Sequence, residues 1–211
     1  MSDTEAIPAA TLVVLQDRAA GPPELLMVER PRTMAFAGGA MVFPGGRIDP
    51  ADWTEGDALD EAAARAAVRE TAEETGLDVP LGSLVPFARW RPDNVRHRRF
   101  DTFFFLAPCP ADAGPLRPQP GECERAVWTT AAAMLGDIAA ARASAIFPTL
   151  RNLERLAQFG SFAEARDHAI AHPVEIISPW IEDRGGAPHL VIPDHLGYPI
   201  TAERLDRALR A

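Results

Sequence analysis

The chain has 211 residues, of which 47% are hydrophobic and 24% charged, and its formal net charge is −9 at neutral pH. This composition indicates one substantial globular domain, and the negative charge disfavours non-specific binding to nucleic acid. The sequence contains no run of about 18 uncharged apolar residues and no basic, apolar leader, so we predict neither a membrane span nor a secretory signal.

The predicted elements are short strands followed by helices. In chain order, strands are predicted at 11–16, 24–30, 40–43, 84–90, 99–107 and 124–130, and helices at 58–75, 131–143, 149–160 and 161–172. The helix at 58–75 is alanine-rich, and we expect Asp57 to be its N-cap and Gly76 its left-handed C-cap. A proline-rich tail follows the last helix.

This order of elements predicts the fold class. Several strands precede the first crossover helix, which favours a mixed sheet over a regular βαβ array. We therefore predict an α/β (α+β) fold with a mixed β-sheet sandwiched between helices. The main domain is expected at 8–140, with a helical C-terminal extension at 141–211 packed on the same domain. These C-terminal helices are expected either to cover the substrate cleft or to form a homodimer contact.

The two cysteines, Cys109 and Cys123, are too few for a disulfide framework or a zinc site. A reducing cytoplasm fits this cysteine content best, so we expect a cytoplasmic protein.

The end of the helix at 58–75 carries three crowded carboxylates, Glu70, Glu73 and Glu74. Residues three and four apart are neighbours on one helix face, so these like charges repel one another by about 0.2–0.5 kcal/mol per pair. The helix dipole also disfavours anions at this end. Partly buried carboxylates of this kind need a cation, and hard oxygen ligands suit Mg²⁺ or Mn²⁺. The cluster therefore predicts a divalent metal site.

The residues around this cluster resemble the Nudix box of the Nudix hydrolases, G-x5-E-x7-R-E-U-x-E-E-x-G-U, where U is a bulky apolar residue. The match runs from Gly46 through Glu61, seven intervening residues and Arg69 to Leu77. Two positions depart from the pattern. Fourteen residues separate Gly46 from Glu61, which indicates an insertion near 50–60, and Thr71 stands at an apolar position.

The resemblance implies a Nudix fold and a role for each matched residue. Glu70, Glu73 and Glu74 would be metal ligands, and Glu70 is also a candidate general base. Arg69 and Glu61 would orient these ligands through ion pairing. The turn at Gly45 and Gly46 would let the backbone approach a phosphate. Glu122, in a loop before a late strand, would be a further basic or metal-binding glutamate, with Glu124 as its rival.

The segments outside the box resemble the branch of peroxisomal acyl-coenzyme A diphosphatases, above all "LLMVERPRTMAFAGGAMVFPGGRIDPAD" at 25–52. This likeness implies cleavage of coenzyme A or acyl-coenzyme A to adenosine 3′,5′-bisphosphate and a 4′-phosphopantetheine product. The arginines expected to contact its phosphates are Arg30, Arg32, Arg89, Arg91 and Arg98. For the stretch from Arg89 to Arg99, a solvated loop is an equal alternative.

Two other functions stay open. The same chemistry would act on NADH, ADP-ribose or a nucleotide sugar. A Nudix-fold ligand sensor without turnover is the alternative from a different class, although all the box carboxylates are present. In each case the expected partner is a small nucleotide, with no nucleic acid and no membrane.

Overall fold

The computed structural model describes residues 6–33, 37–93 and 99–208. The strands in these residues are β1 (Ile7–Gln16), β2 (Glu24–Glu29), β3 (Met41–Val42), β4 (Gly45–Arg47), β5 (Val85–Trp90), β6 (Phe100–Pro108), β7 (Arg125–Thr130), β8 (Ile176–Ile177), β9 (Trp180–Asp183), β10 (Pro188–Val191) and β11 (Ala202–Arg204). The helices are α1 (Leu59–Thr75), α2 (Ala131–Ala139), α3 (Phe147–Leu156), α4 (Phe162–Ala171) and α5 (Leu205–Ala208). None of these helices combines the length and the apolar character that a membrane crossing requires.

The main sheet is mixed, as the order of elements predicted. Its strands follow the order β3-β2-β1-β6-β5-β8, with β4 also paired to β1 and β7 also paired to β2. β1 and β6 are parallel, whereas β1 is antiparallel to both β2 and β4. Both faces of the sheet are covered, so "TLVVLQ" in β1 is an unbroken apolar run instead of an alternating one.

Successive side chains of the central strands enter two separate cores. Val13 and Leu15 of β1 face one core, to which α2, α3 and α4 contribute. Leu12 and Val14 face the other core, together with the buried alanines of α1. The small side chains of α1 let this helix lie close against the sheet, which confirms the predicted arrangement of a sheet between helices.

The two predicted caps of α1 have different outcomes. Gly76 has a φ of 71° and its N–H donates to the carbonyl of Ala72, which confirms the left-handed C-cap. The prediction of Asp57 as N-cap is wrong, because Ala58 occupies that position. The side chain of Asp57 instead accepts hydrogen bonds from the Thr54 amide and from Arg65.

The C-terminal part contains the two predicted helices, α3 and α4, and also four strands that were not predicted. β8 joins the main sheet in parallel with β5, and β9, β10 and β11 form a small antiparallel sheet. These strands have two to four residues each and lie in the proline-rich tail, so they are too short to show a period of two. The predicted helical extension is therefore a mixed helical and stranded one.

Buried polar side chains tie this extension to the main sheet. Trp90 donates its ring N–H to the hydroxyl of Tyr198 at 3.1 Å, and this hydroxyl donates to Asn152 at 2.7 Å. Arg155 is buried on α3 and donates to the carbonyl of Phe87 in β5 at 2.9 Å. Hydrogen bonds of this kind specify how the extension packs, because a buried polar group without a partner is costly.

We expect the folding stability to depend on the protonation of His168. Burial is the main cause that lowers the pKa of His168, and the charges of Arg155 and His172 lower it too. Together they bring this pKa from 6.5 to about 4. The folded protein therefore keeps this imidazole neutral while the unfolded chain binds a proton between about pH 6.5 and pH 4. As a result, the contribution to stability is lost as the pH falls through this window, by about 1 kcal/mol once solvent screening is included.

His168→Gln removes this contribution, so the difference in unfolding free energy between wild type and variant should change between pH 7 and pH 4.5. Urea unfolding at both pH values measures it, with His189→Gln as the control. The difference between the two proteins is needed because Glu154, whose pKa burial raises to about 7, acts in the opposite direction. An unchanged difference across the window would contradict the assignment to His168.

Candidate functional site

The prediction of a turn at Gly45 and Gly46 is wrong, because these two residues, the glycine pair, begin strand β4, which pairs with β1 directly after a bend at Pro44. Gly45 pairs with Thr11 and Gly46 with Ala10 in an antiparallel register. A Cβ at position 45 would overlap the backbone of β1, and a Cβ at position 46 would overlap the carboxylate of Glu70. Position 45 therefore requires glycine on steric grounds, whereas a side chain at position 46 would displace the end of the Glu70 side chain, so the glycine pair is in direct contact with the end of α1.

Glu74 is the most perturbed carboxylate of this cluster. Its Oε2 accepts a hydrogen bond from the Gly45 amide at 3.1 Å. Burial, helped by the nearby carboxylates of Glu70 and Glu122, raises the pKa of Glu74 to about 8, against the opposite effects of the Gly45 amide and Arg30. A half-buried carboxylate among other carboxylates is an environment that a divalent cation would stabilise.

Arg69 holds the other two carboxylates of the cluster. Its Nη1 donates to Glu70 and to Glu73, at 2.9 Å in each case, and its Nη2 donates to the backbone carbonyl of Arg47 at 3.0 Å. Burial raises the pKa of Glu70, while Arg69 acts in the opposite direction. The guanidinium of Arg69 thus connects α1 to β4, the strand that begins with the glycine pair.

Asp52 is the main partner of Arg69, and the sequence analysis did not identify it. Its carboxylate accepts two hydrogen bonds from Arg69, at 3.0 Å from Nε and 2.9 Å from Nη2. The side chain of Asp52 is only 4% exposed. Burial alone would raise the pKa of Asp52, but the hydrogen bonds and charge of Arg69 outweigh it and hold this pKa below its usual range.

The ion pair that we expected from Glu61 is therefore made by Asp52. Glu61 is exposed at the first turn of α1, where its carboxylate accepts from the Ala58 amide at 2.8 Å. It lies eight residues before Arg69, about 12 Å along the helix axis, too far for an ion pair with it. Asp52 stands six residues after Gly46, which is the G-x5-E spacing, so counting forward from the glycine would have found it.

The predicted insertion is fixed against α1 at two points. Arg65 donates from Nε to the carbonyl of Asp52 at 2.6 Å and from Nη2 to the carboxylate of Asp57. Asp52 and Asp57 lie on either side of the extra residues. The insertion follows Asp52 instead of preceding the acidic partner of Arg69, so the extra residues leave the contacts of Arg69 intact.

Arg30 lies beside this cluster at the end of β2. Its positive charge acts on Glu74, and burial lowers the pKa of its guanidinium. The Nε of Arg30 is buried and has no hydrogen-bond partner in the part of the chain that the structure describes. This buried donor therefore lies near the carboxylate of Glu74, without a partner among the described residues. Arg32 is exposed and lies over Gly39.

Glu122 is brought to the cluster by a turn that packs on the end of α1. The Gln119 amide donates to the Glu74 carbonyl at 3.1 Å, and the Cys123 thiol donates to the same oxygen at 3.3 Å. Burial and the nearby carboxylates raise the pKa of the Cys123 thiol, so it keeps its proton. Glu124 follows the turn and directly precedes β7. Its amide donates to the carbonyl of Glu29, the last residue of β2.

Arg89 and Arg91, two described arginines of the basic stretch, are not part of this cluster. Arg89 makes a two-point ion pair with the buried Asp101 at 2.8 Å and lies over the ring of Phe103 at 4.3 Å. Arg91 has its Nη1 3.9 Å from the same carboxylate. Arg89 also interacts with Asp60, at the opposite end of α1 from Glu70, and about 15 Å of helix separates these two residues. Arg98 lies outside the described residues.

A divalent cation fits the chemistry of this donor set. Glu70, Glu73 and Glu74 supply hard oxygen ligands, and the raised pKa of the half-buried Glu74 shows a need for positive charge. Over residues 6–33, 37–93 and 99–208, however, no three His, Cys, Asp or Glu side chains already stand in a metal-binding arrangement. Arg69 donates hydrogen bonds to both Glu70 and Glu73, so these two side chains would have to turn towards the ion to bind it.

Comparison with known proteins identifies the class to which this fold and site belong. The NUDIX domain family matches residues 6–150. A NUDIX hydrolase of Alicyclobacillus acidocaldarius is 30% identical, with a TM-score of 0.70 over 79% of this chain and 97% of that chain. The NUDIX domain of Shewanella oneidensis NrtR, solved with ADP ribose, is 17% identical, with a TM-score of 0.55 over 74% and 88% of the two chains, and shows the fold alone. No curated protein is significantly similar in sequence.

The chain therefore belongs to the Nudix hydrolases and is an enzyme that acts on nucleoside diphosphate derivatives. Divalent cations are the general cofactors of this family, which agrees with the donor set around Glu74. The predicted Nudix fold is confirmed by the family match and by the A. acidocaldarius structure.

Proposed function

We propose that this Nudix hydrolase cleaves the diphosphate of coenzyme A or acyl-coenzyme A. Water would add to one phosphorus while the bridging oxygen leaves with the other, giving adenosine 3′,5′-bisphosphate and (acyl-)4′-phosphopantetheine. The observation that carries the proposal is the half-buried carboxylate cluster of Glu70, Glu73 and Glu74 against the glycine pair, with Arg30 beside it. The choice of coenzyme A is supported by the sequence from 25 to 52, which includes Arg30.

In this proposal each residue of the cluster has one task. Glu70, Glu73 and Glu74 hold one or more Mg²⁺ or Mn²⁺ ions. When bound, the metal neutralises the diphosphate and lowers the pKa of its water. Arg69, oriented by Asp52, positions Glu70 and Glu73. Glu70 or Glu122 accepts a proton from the attacking water, and Glu122 alternatively serves as a further ligand.

Substrate binding is assigned to the backbone of the glycine pair and to one arginine. Gly45 and Gly46 bring the main chain close to the diphosphate, and an added Cβ would meet β1 at position 45 and the carboxylate of Glu70 at position 46. Arg30 contacts a phosphate through its buried Nε, which has no partner among the described residues. Arg32 is a second, exposed contact. Arg89 and Arg91 are left out, because the buried Asp101 already engages their charge.

The alternative substrates keep the same chemistry. NADH, ADP-ribose and nucleotide sugars contain the same diphosphate, and the bound ligand of the S. oneidensis NrtR domain makes ADP-ribose a necessary member of any panel. We also propose a cytoplasmic location for the enzyme, since its two cysteines are free thiols. A homodimer built by the C-terminal helices stays a prediction.

The test is hydrolysis of coenzyme A, acetyl-coenzyme A, a long-chain acyl-coenzyme A, NADH and ADP-ribose with Mg²⁺ or Mn²⁺, with the products identified by mass spectrometry. We expect turnover of the coenzyme A compounds, and Glu74→Gln should lower kcat at least about 100-fold, because it removes a metal ligand. Glu175→Gln, an exposed glutamate paired with His195, is the matched control and should leave kcat unchanged.

Each outcome of this panel decides something. Turnover of NADH or ADP-ribose alone would keep the carboxylate cluster and replace the substrate. A Glu74→Gln variant with wild-type kcat would contradict the assignment of the metal ligands. A wild-type enzyme that cleaves none of the five compounds with either metal would contradict the proposed substrate class.

A further inference from the structure

The turn that carries Glu122 is a tight one. The amides of Glu122 and Cys123 both donate to the carbonyl of Gln119, at 3.2 Å in each case. Gly121 has a φ of 93°, a conformation that favours glycine. Because the turn is closed by its own backbone, residues 119–123 move as one unit, and whatever holds its two ends also determines where Glu122 lies.

Both ends of this turn bind the same backbone oxygen. The Glu74 carbonyl accepts from the Gln119 amide at 3.1 Å and from the Cys123 thiol at 3.3 Å. The neighbouring Thr75 carbonyl accepts from the Arg117 amide at 2.7 Å. The last carbonyls of a helix have no partner within the helix, so the turn supplies the hydrogen bonds that α1 lacks at this end.

Cys123 is the one side chain in this set of contacts, since the other donors are backbone amides. Its side chain is buried, at 4% exposure, under the turn. The residue that provides this thiol immediately follows Glu122, whose carboxylate is close enough to raise the pKa of Glu74. The thiol therefore joins the backbone of one proposed metal ligand to the residue next to the proposed base.

We propose that Cys123 is a positioning residue, which holds Glu122 over the metal site by donating a hydrogen bond to the Glu74 carbonyl. This inference rests on the proposed function, which assigns roles to Glu74 and Glu122. It does not depend on which diphosphate is cleaved. Loss of the thiol leaves the Gln119 amide as the only donor from the turn to this oxygen, so the turn pivots and Glu122 leaves its place.

The experiment compares Cys123→Ala with Cys123→Ser, which keeps a donor, in the wild-type and Glu122→Gln backgrounds. The readouts are the Mn²⁺ dissociation constant from titration and kcat and KM for the best substrate of the panel. We expect Cys123→Ala to weaken Mn²⁺ binding and lower kcat by about 10-fold each, with KM changed by less than about 2-fold. Cys123→Ser should recover at least half of the loss.

The Glu122→Gln background separates positioning from general destabilisation. If Cys123 acts through Glu122, adding Cys123→Ala to Glu122→Gln should change neither readout by more than about 2-fold, because contacts in one network are not additive. Equal losses in both backgrounds, equal losses for the alanine and serine variants, or wild-type Mn²⁺ affinity in Cys123→Ala would each overturn the inference.

Two further variants keep the test decisive. Cys109→Ala removes the other free thiol, which lies outside the cluster, and should behave as wild type. Gly121→Ala strains the turn without meeting any atom within 4 Å, and should reproduce the loss of Mn²⁺ affinity even if Cys123→Ala does not fold. If no substrate of the panel is cleaved, the proposed function fails, yet the Mn²⁺ titrations still report on Cys123.

Discussion

Asp52→Asn is expected to lower kcat/KM about 100-fold, whereas Glu61→Gln, at the position that the E-x7-R spacing favours, should lower it by less than about 3-fold. Asp52 is buried and accepts two hydrogen bonds from Arg69. Arg69 in turn donates hydrogen bonds to Glu70 and Glu73 and so holds their carboxylates in place. Outer partners of metal ligands typically contribute 10- to 100-fold to affinity or activity. Glu61 only caps the first turn of α1.

Steady-state kinetics on the best substrate, with Mn²⁺ varied, measure both variants. Asp52→Asn should also reduce the free energy of unfolding by about 1–3 kcal/mol, because it removes a charged acceptor from a buried hydrogen bond. Glu61→Gln should lose less than about 1 kcal/mol, as an exposed helix cap does. Assays at 20 °C on folded protein keep the stability loss apart from the catalytic loss. The reverse ranking of the two variants would contradict the role of Asp52.

Gly46→Ala is expected to remove activity almost completely while leaving the protein folded. The new methyl group would occupy the space of the Glu70 carboxylate, which is the mobile end of a long side chain. Moving it costs little folding energy, but it displaces a proposed metal ligand from its place against the glycine pair. We therefore expect kcat to fall at least about 100-fold and the Mn²⁺ affinity at least about 10-fold.

The comparison variant for Gly46→Ala is Gly82→Ala, since a Cβ at position 82 meets no atom within 4 Å. Both substitutions should lower the unfolding temperature by only a few degrees, and only Gly46→Ala should lower kcat. Circular dichroism melts and Mn²⁺ titrations distinguish the two. Activity near wild type in Gly46→Ala would show that the Glu70 carboxylate does not need its present place against Gly46.

The parts of this molecule that could be predicted from the sequence are those with a long local signal. The helix α1 has seventeen residues, a run of alanines and a terminal glycine, so its position and its C-cap were predictable. Most strands of the main sheet are apolar runs bounded by turn residues, but β4 was predicted as a turn because its two glycines follow a proline. By contrast, β8 to β11 are too short to carry a period, and β8 is a strand only because β5 offers it a parallel edge.

The candidate site was predictable where its residues lie on one helix and not where they meet across the fold. Glu70, Glu73 and Glu74 share one helix face, so spacing alone places them together. Spacing favours Asp52 when counted forward from Gly46 and Glu61 when counted back from Arg69, so the choice between them required the closing of the chain around Arg69. The partner of Arg89 depended in the same way on the pairing of β5 with β6, which brings Asp101 to its guanidinium.

The extra residues after Asp52 show that the Nudix box is a pattern in space more than in sequence. The glycine pair with Asp52 forms one half, and the segment from Arg69 to Gly76 forms the other. Between the halves only the two ends must meet, and here Arg65 joins both sides of the added segment to α1. A search that scores the two halves separately, with a free gap between them, would recognise chains of this kind that a fixed-length motif misses.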